Sequence, residues 1–409
     1  MSRSFSSVAA RRVPRSSVAF VVALILALLG SAVPAVGQDT ADDADQAAPP
    51  IGSLSVLAFA PSGELLIGDS KNGTVWAFDL GERTPRTSNE ATPIGDLETQ
   101  IAALLGTRSS EVMIHDLAVD RITQEIYLAV SRGRATWESR WQLPNDVADA
   151  QVLLKVTPEA EILEVPLAGV PYRQARLPNP IAADKMSEWK GSSLRADAIS
   201  DLAVVEDDDG GASVVVAGLS NEEFASTLWR LPWPFADAAG ESNAASSATS
   251  IEIFHGAHGV WETHSPIRAF VPYRLDGAQH LLAAYLCTPF VTLPVAALDD
   301  GAHLRGRTIA EFGWGNYPLD MVVYRKDGRD RVLIANSNQT WMIVDAEDIA
   351  RYEGEITREV EGFTAGVAFE QRSGAGIQQM DLLNDEVVVF LQRQPGGTLN
   401  LSHFPTDRL

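Results

Sequence analysis

From Ile51 onward the chain repeats one grammar six times: an apolar strand, a short turn, a more apolar strand, a polar loop and a third strand. First strands are expected at Leu54–Phe59, Ile114–Val119, Ile199–Val204, Ser265–Phe270, Tyr317–Val322 and Ile377–Leu382. Their partners are Leu65–Gly68, Ile126–Val130, Val214–Gly218, Leu281–Tyr285, Val332–Asn336 and Val387–Leu391. Third strands follow near Val75–Leu80, Val152–Val156, Thr227–Leu231, Phe290–Val295, Thr340–Val344 and Thr398–Leu401. Turns such as Pro61-Ser62-Gly63, Leu275-Asp276-Gly277 and Lys326-Asp327-Gly328 supply the residues a tight hairpin needs. Short strands recurring at a spacing of roughly 60 residues bury their faces by stacking radially. The expected fold is therefore all-β: a six-bladed β-propeller of antiparallel blades over residues 51–409. Fourth strands are fainter, at Ile162–Leu167, Ile251–Phe254, Thr308–Phe312 and Ile356–Val360. The last blade shows only three strands, so nothing in the repeat says how the ring closes. Glu98–Leu105 is the best helical stretch.

The N-terminal residues belong to a different grammar. Arg3, Arg11, Arg12 and Arg15 precede an apolar run from Val18 to Leu29, and Ala35-Val36-Gly37 offers small residues before Gln38. That is the layout of an export signal, and the run is shorter than the roughly 20 residues that span a bilayer. Residues 1–37 are read as a signal peptide and 38–50 as a disordered acidic linker, rich in Ala and Asp. The expected location is exported: periplasmic or secreted, with no membrane association after cleavage. Loss of residues 1–37 removes four basic residues and no acid, which takes the net charge from −22 to about −26. Such a charge opposes nucleic acid, whose phosphates must be neutralised by Lys and Arg. One cysteine, Cys287, permits no internal disulfide.

Blades such as LAFAPSGELLIGDSKNGTVWAFDL and LAVDRITQEIYLAV resemble those of the six-bladed superfamily that includes NHL-repeat and gluconolactonase-like proteins. The resemblance spans nearly all of the mature chain and implies the propeller fold. Gluconolactonase-like enzymes hold a divalent metal with Glu, Asn and Asp from separate blades. Here Asn and Asp stand at plausible places, and no first-strand Glu stands in the expected position.

Because blade strands alternate in direction, the loops sort onto two ends. One end receives mostly short turns. The other receives the connections from second to third strands and from each blade to the next, including the long segments 131–150, 168–198, 255–263 and 363–376. Unstructured loops longer than about 12–15 residues are usually functional or disordered. Trp137 and Trp141 lie in one of these segments, and Arg173 and Arg176 in another. On so acidic a chain they read either as a lid that grips a small polar or anionic ligand or as a cap over its own small core.

First strands line the channel, which places His115, Asp116, Asp201, Arg268, Asp320 and Gln379 near the axis, with Asn336 on the same end. Carboxylates, amides and imidazoles together suit a polar ligand or a divalent metal cofactor. His264 and Cys287 are the expected metal ligands; each also reads as an ordinary structural residue. No GxSxG elbow, GxGxxG, P-loop or CxxCH motif occurs. The expected function is binding of a small polar or anionic ligand, or of a protein partner, on this end. The competing reading is a metal-dependent hydrolase of the lactonase type at the channel mouth.

Overall fold

The computed structural model describes residues 48–89, 91–132, 151–187, 193–207, 210–235 and 246–409. The expected signal peptide and most of the acidic linker lie outside the described residues. Among those described, no helix is long and apolar enough to cross a membrane.

The described residues fold as a six-bladed, all-β propeller with few helices. Blade 1 is built from Val56–Phe59, Leu65–Asp69, Thr74–Phe78 and Tyr172–Arg176. Blade 2 is Val112–Asp120, Glu125–Arg132, Gln151–Val156 and Ile162–Glu164. Blade 3 is Asp201–Glu206, Ala212–Leu219, Ser226–Trp233 and Ser247–His255, extended by Val260–Glu262. Blade 4 is Ala269–Leu275, Ala278–Ala284, Pro289–Pro294 and Arg307–Glu311. Blade 5 is Pro318–Lys326, Arg329–Asn336, Trp341–Asp345 and Glu370–Arg372. Blade 6 keeps three strands, Ile377–Asn384, Val387–Arg393 and Leu399–Pro405.

The blades do not follow one another around the ring in chain order. First strands touch in the circuit 1, 3, 4, 5, 6, 2 and back to 1. The chain makes blade 1, then blade 2 on one side. It then returns along the outside of blade 1, leaving Tyr172–Arg176 there as the outer strand, and lays blades 3 to 6 around the other way. Blade 6 therefore meets blade 2, which supplies the closure that the repeat left open. Its outer edge is covered by the segment between blades 1 and 2. Ile94 and Leu401 exchange two backbone hydrogen bonds of 2.9 Å, and the carboxylate of Glu98 accepts two bonds from Arg393. The helix Leu97–Leu105 lays Leu97, Ile101, Ala102 and Leu105 into the blade 2–blade 6 core and ends at Gly106 in the left-handed region.

Six hydrophobic clusters fill the six seams. One at the closing seam joins Val119, Leu128 and Val130 of blade 2 to Val389 and Leu391 of blade 6. The others lie between blades 1 and 2, 1 and 3, 3 and 4, 4 and 5, and 5 and 6. Burying one Val, Leu or Ile side chain is worth about 1.5–3 kcal/mol, so the second and third strands, apolar on both faces, drive the stacking.

Two expectations about outer strands change. Within segment 168–198, Tyr172–Arg176 is not lid but the strand that completes blade 1. The sheet edge left open by Thr74–Phe78 gives them partners, and their polar side chains suit an outermost strand. Ile356–Val360 is not the fourth strand of blade 5, a place taken by Glu370–Arg372. The segment runs instead along blade 4 and the end of blade 3, where Ile356 donates to the Thr308 carbonyl and Val360 to that of Gly256.

Candidate functional site

Four first strands carry an aspartate immediately before an apolar residue, at Asp116, Asp201, Asp320 and Asp381. Each uses its side chain in the same way. Oδ1 accepts from the next backbone N–H in its own strand, at 2.7–2.8 Å in all four. Oδ2 accepts from a backbone N–H of the adjoining blade: Asp116 from Leu57, Asp201 from Phe270, Asp320 from Met380 and Asp381 from Val119, each at 2.7–2.8 Å. These bonds run in one rotational sense, from blade 3 to 4, 5 to 6, 6 to 2 and 2 to 1. The aspartates staple the ring.

Each is half-buried on its first strand. Burial pushes Asp116 up to about 7 and Asp381 up to about 6, against the backbone bonds that favour the charged form. Asp201 and Asp320 rise well above the usual range, first from burial and then from their fellow carboxylates. The folded state thus holds these protons more tightly than the unfolded chain does, so stability falls as pH climbs from about 4 through 7. Unfolding midpoints in urea are expected to be higher at pH 5 than at pH 8. Asp116→Asn should flatten that slope. A midpoint that rises from pH 5 to 8, or a slope unchanged in the variant, would contradict the assignment.

The remaining channel residues divide. Burial lowers His115 to about 4, leaving it neutral, and its Nε2 pairs with Ser131 Oγ at 2.8 Å. Gln379 donates to the His115 carbonyl, while its buried Oε1 has no hydrogen-bond partner. Arg268 pairs with Asp197 at 2.8 Å, and its buried Nε has none. Asn336 is occupied structurally. It accepts from Asn316 at 2.8 Å and donates to the Ile334 and Thr340 carbonyls, which fixes the turn between two strands. Arg173 and Arg176 sit exposed on the outer strand of blade 1, away from the channel, and Arg173 donates to the Phe235 carbonyl. Trp137 and Trp141 lie outside the described residues.

His264 and Cys287 have separate partners. The His264 ring bonds the Thr263 hydroxyl at 2.9 Å. Cys287 lies instead with His255 and His258, the ligand atoms of the three all within 4.8 Å of one another. His255 is buried at the end of the outer strand of blade 3, and its Nδ1 bonds Glu262 at 2.7 Å. A tight turn, in which Gly259 donates to the His255 carbonyl at 2.9 Å, stacks the two imidazoles with centroids 4.0 Å apart.

The two ends of the propeller differ in their surface. Among the described residues the exposed aromatic side chains are Phe224, Trp261, Trp314, Tyr317 and Phe363. All five sit at the end where first strands begin, Trp261 on the short strand that extends blade 3 and the other four in connections between strands or blades. Trp314 is 61% exposed and meets Phe363 edge-on at 5.6 Å. Leu319, on the first strand of blade 5, adds apolar surface beside the channel. The opposite end carries a cleft of about 440 Å³ between blades 1 and 2. Its cations are already paired: Arg83 with Asp120, Arg86 with Glu159 and Lys155 with Glu125.

Comparison with known proteins adds little. No protein-family model matches the chain, and no curated protein does. Among solved structures, the PQQ-bound aldose sugar dehydrogenase of Streptomyces coelicolor is 12% identical, with 88% of this chain and 96% of that one covered, at a TM-score of 0.31. A protein from Dyadobacter fermentans is 10% identical over 86% of this chain and 93% of its own, also at 0.31. At such scores neither carries an argument about activity, and the six-bladed fold rests on the strand topology itself.

Proposed function

We propose that this is an exported binding protein whose working surface is the end of the propeller at which the first strands begin, and that it holds a small polar ligand over the channel mouth. The observation that carries this reading is the gathering of all five exposed aromatic side chains, among the described residues, at that one end. Aromatic faces pack against the apolar faces of ligands such as sugars, and Trp314 and Phe363 already meet edge-on at this end. Two unpartnered buried groups at the same end, the donor Arg268 Nε and the acceptor Gln379 Oε1, offer the polar half of a recognition surface. A protein partner would use the same aromatics but would leave those two groups unpaired.

The lactonase-type hydrolase draws less support. Its metal would fall to the channel carboxylates, and both oxygens of each are engaged with backbone amides. The resemblance to NHL-repeat and gluconolactonase-like proteins thus bears on blade architecture more than on chemistry.

Melting the full mature protein against neutral sugars, uronic acids and dicarboxylates tests the proposal. A ligand at 100 times its Kd adds about 2.7 kcal/mol to stability, a shift readily seen. One of these classes is expected to raise the melting temperature of the wild type and to fail with Trp314→Ala. Failure of every class, or an undiminished shift in the variant, would count against it.

A further inference from the structure

The geometry points to a transition-metal site of the zinc class at His255, His258 and Cys287, with Glu262 orienting the imidazoles and a fourth position open to solvent or ligand. It is independent of the rim residues invoked for ligand binding.

Three observations converge. The first is distance. Around a tetrahedral ion with bonds near 2.0–2.3 Å, ligand atoms stand about 3.5 Å apart. Here the three ligand atoms already lie within 4.8 Å of one another, so small side-chain rotations close the set. The second is the state of His255. It is 1% exposed, Glu262 takes its Nδ1, and its Nε2 is buried with no hydrogen-bond partner. A carboxylate on one ring nitrogen fixes the proton there and turns the lone pair of the other outward, the arrangement found behind metal-bound histidines. Glu262 also lies 3.6 Å from Nδ1 of His258, so one carboxylate faces both rings.

The third is how the backbone is held. Cys287 and Thr288 are consecutive non-glycine residues at positive φ, 60° and 70°. Such a pair persists only where its surroundings impose it, and strain of this kind gathers at functional sites. Cys287 N–H donates to the Asn316 carbonyl at 2.9 Å, and the Thr288 hydroxyl donates to the Gly313 carbonyl at 2.8 Å. Opposite them, buried Glu311 accepts from the Gly256 and Ala257 amides and anchors the histidine turn. Gly256 is required there, because a Cβ would stand 2.8 Å from Ile356 and 2.9 Å from Val360. Two imidazoles and a thiolate favour zinc, cobalt or copper over the hard cations, which want oxygen. Three protein ligands leave the fourth position free, as in sites that take a water or a substrate rather than purely structural ones.

The test uses the full mature chain after chelator treatment, titrated with Co²⁺ and then with Zn²⁺. Expected is one equivalent of Co²⁺ with a near-ultraviolet thiolate-to-cobalt band that Zn²⁺ abolishes. Cys287→Ser should lose the band. His258→Gln, at an exposed ring that carries no core packing, should weaken Co²⁺ binding at least about tenfold, and Glu262→Gln about 10–100-fold. His264→Gln should bind as the wild type does. Folded wild type without the band, or full affinity in both His258→Gln and Glu262→Gln, would overturn the site.

Discussion

Replacing Asp69 with alanine is expected to lower stability by about 3–5 kcal/mol, a larger loss than removal of any one channel aspartate should cause. Asp69 is fully buried at the end of the second strand of blade 1. Its two oxygens accept from Gly52 N–H at 2.8 Å, Ser53 Oγ at 2.9 Å, and Asn72 through its backbone at 3.1 Å and its side chain at 2.8 Å. The indole N–H of buried Trp76 lies 3.4 Å away. One carboxylate therefore ties the entering chain, the 69–73 turn and a core tryptophan together. Removing it strands several donors, each costing about 1–3 kcal/mol where water cannot reach. Asp69→Asn keeps one acceptor and should lose about half as much. Urea unfolding measures both, and a loss under about 1 kcal/mol for the alanine variant would show that water replaces the carboxylate.

The second large effect belongs to the staples. Asp381→Ala leaves the amides of Val119 and Leu382 without their acceptor, and about 2–4 kcal/mol is expected to be lost. Asp201→Ala strips Phe270 and Leu202 in the same way and should cost a similar amount. The two differ in what they open. Asp381 spans the seam that closes the ring between chain-distant blades, whereas Asp201 joins blades adjacent in sequence. Hydrogen exchange in Asp381→Ala should therefore quicken in blades 2 and 6 together, well before global unfolding. Exchange confined to blade 6 would argue that the closing seam does not depend on this residue.

The repeat made the blades legible because alternation and turn chemistry are local. What it left out depends on contacts between distant segments. Nothing in Tyr172–Arg176 says that it returns to blade 1, since an outer strand needs only an open edge and tolerates Arg and Gln. For the same reason Ile94 gave no sign of covering blade 6. Within the site, Asp116, Asp201 and Asp320 looked like channel ligands because they point toward the axis, and Asp381 went unnoticed. The signal lay in the repetition itself: His-Asp-Leu, Ser-Asp-Leu, Leu-Asp-Met and Met-Asp-Leu put one carboxylate at one place in four blades. A residue repeated around a ring serves the ring's seams, while a binding site needs residues that break the symmetry. His255 and His258 do so, as does Cys287. Their spacing in sequence fits no metal motif, because Cys287 comes from the neighbouring blade.

Staple and rim residues should separate in a single measurement: the melting temperature, with and without whichever ligand class stabilises the wild type, of Asp201→Asn beside Arg268→Gln. The staple variant is expected to melt lower yet keep its ligand shift. The rim variant should stay close to the wild type without ligand and lose the shift. The reverse pattern, a ligand shift abolished by Asp201→Asn and retained by Arg268→Gln, would contradict the assignment of the aspartates to the ring and of binding to its aromatic end.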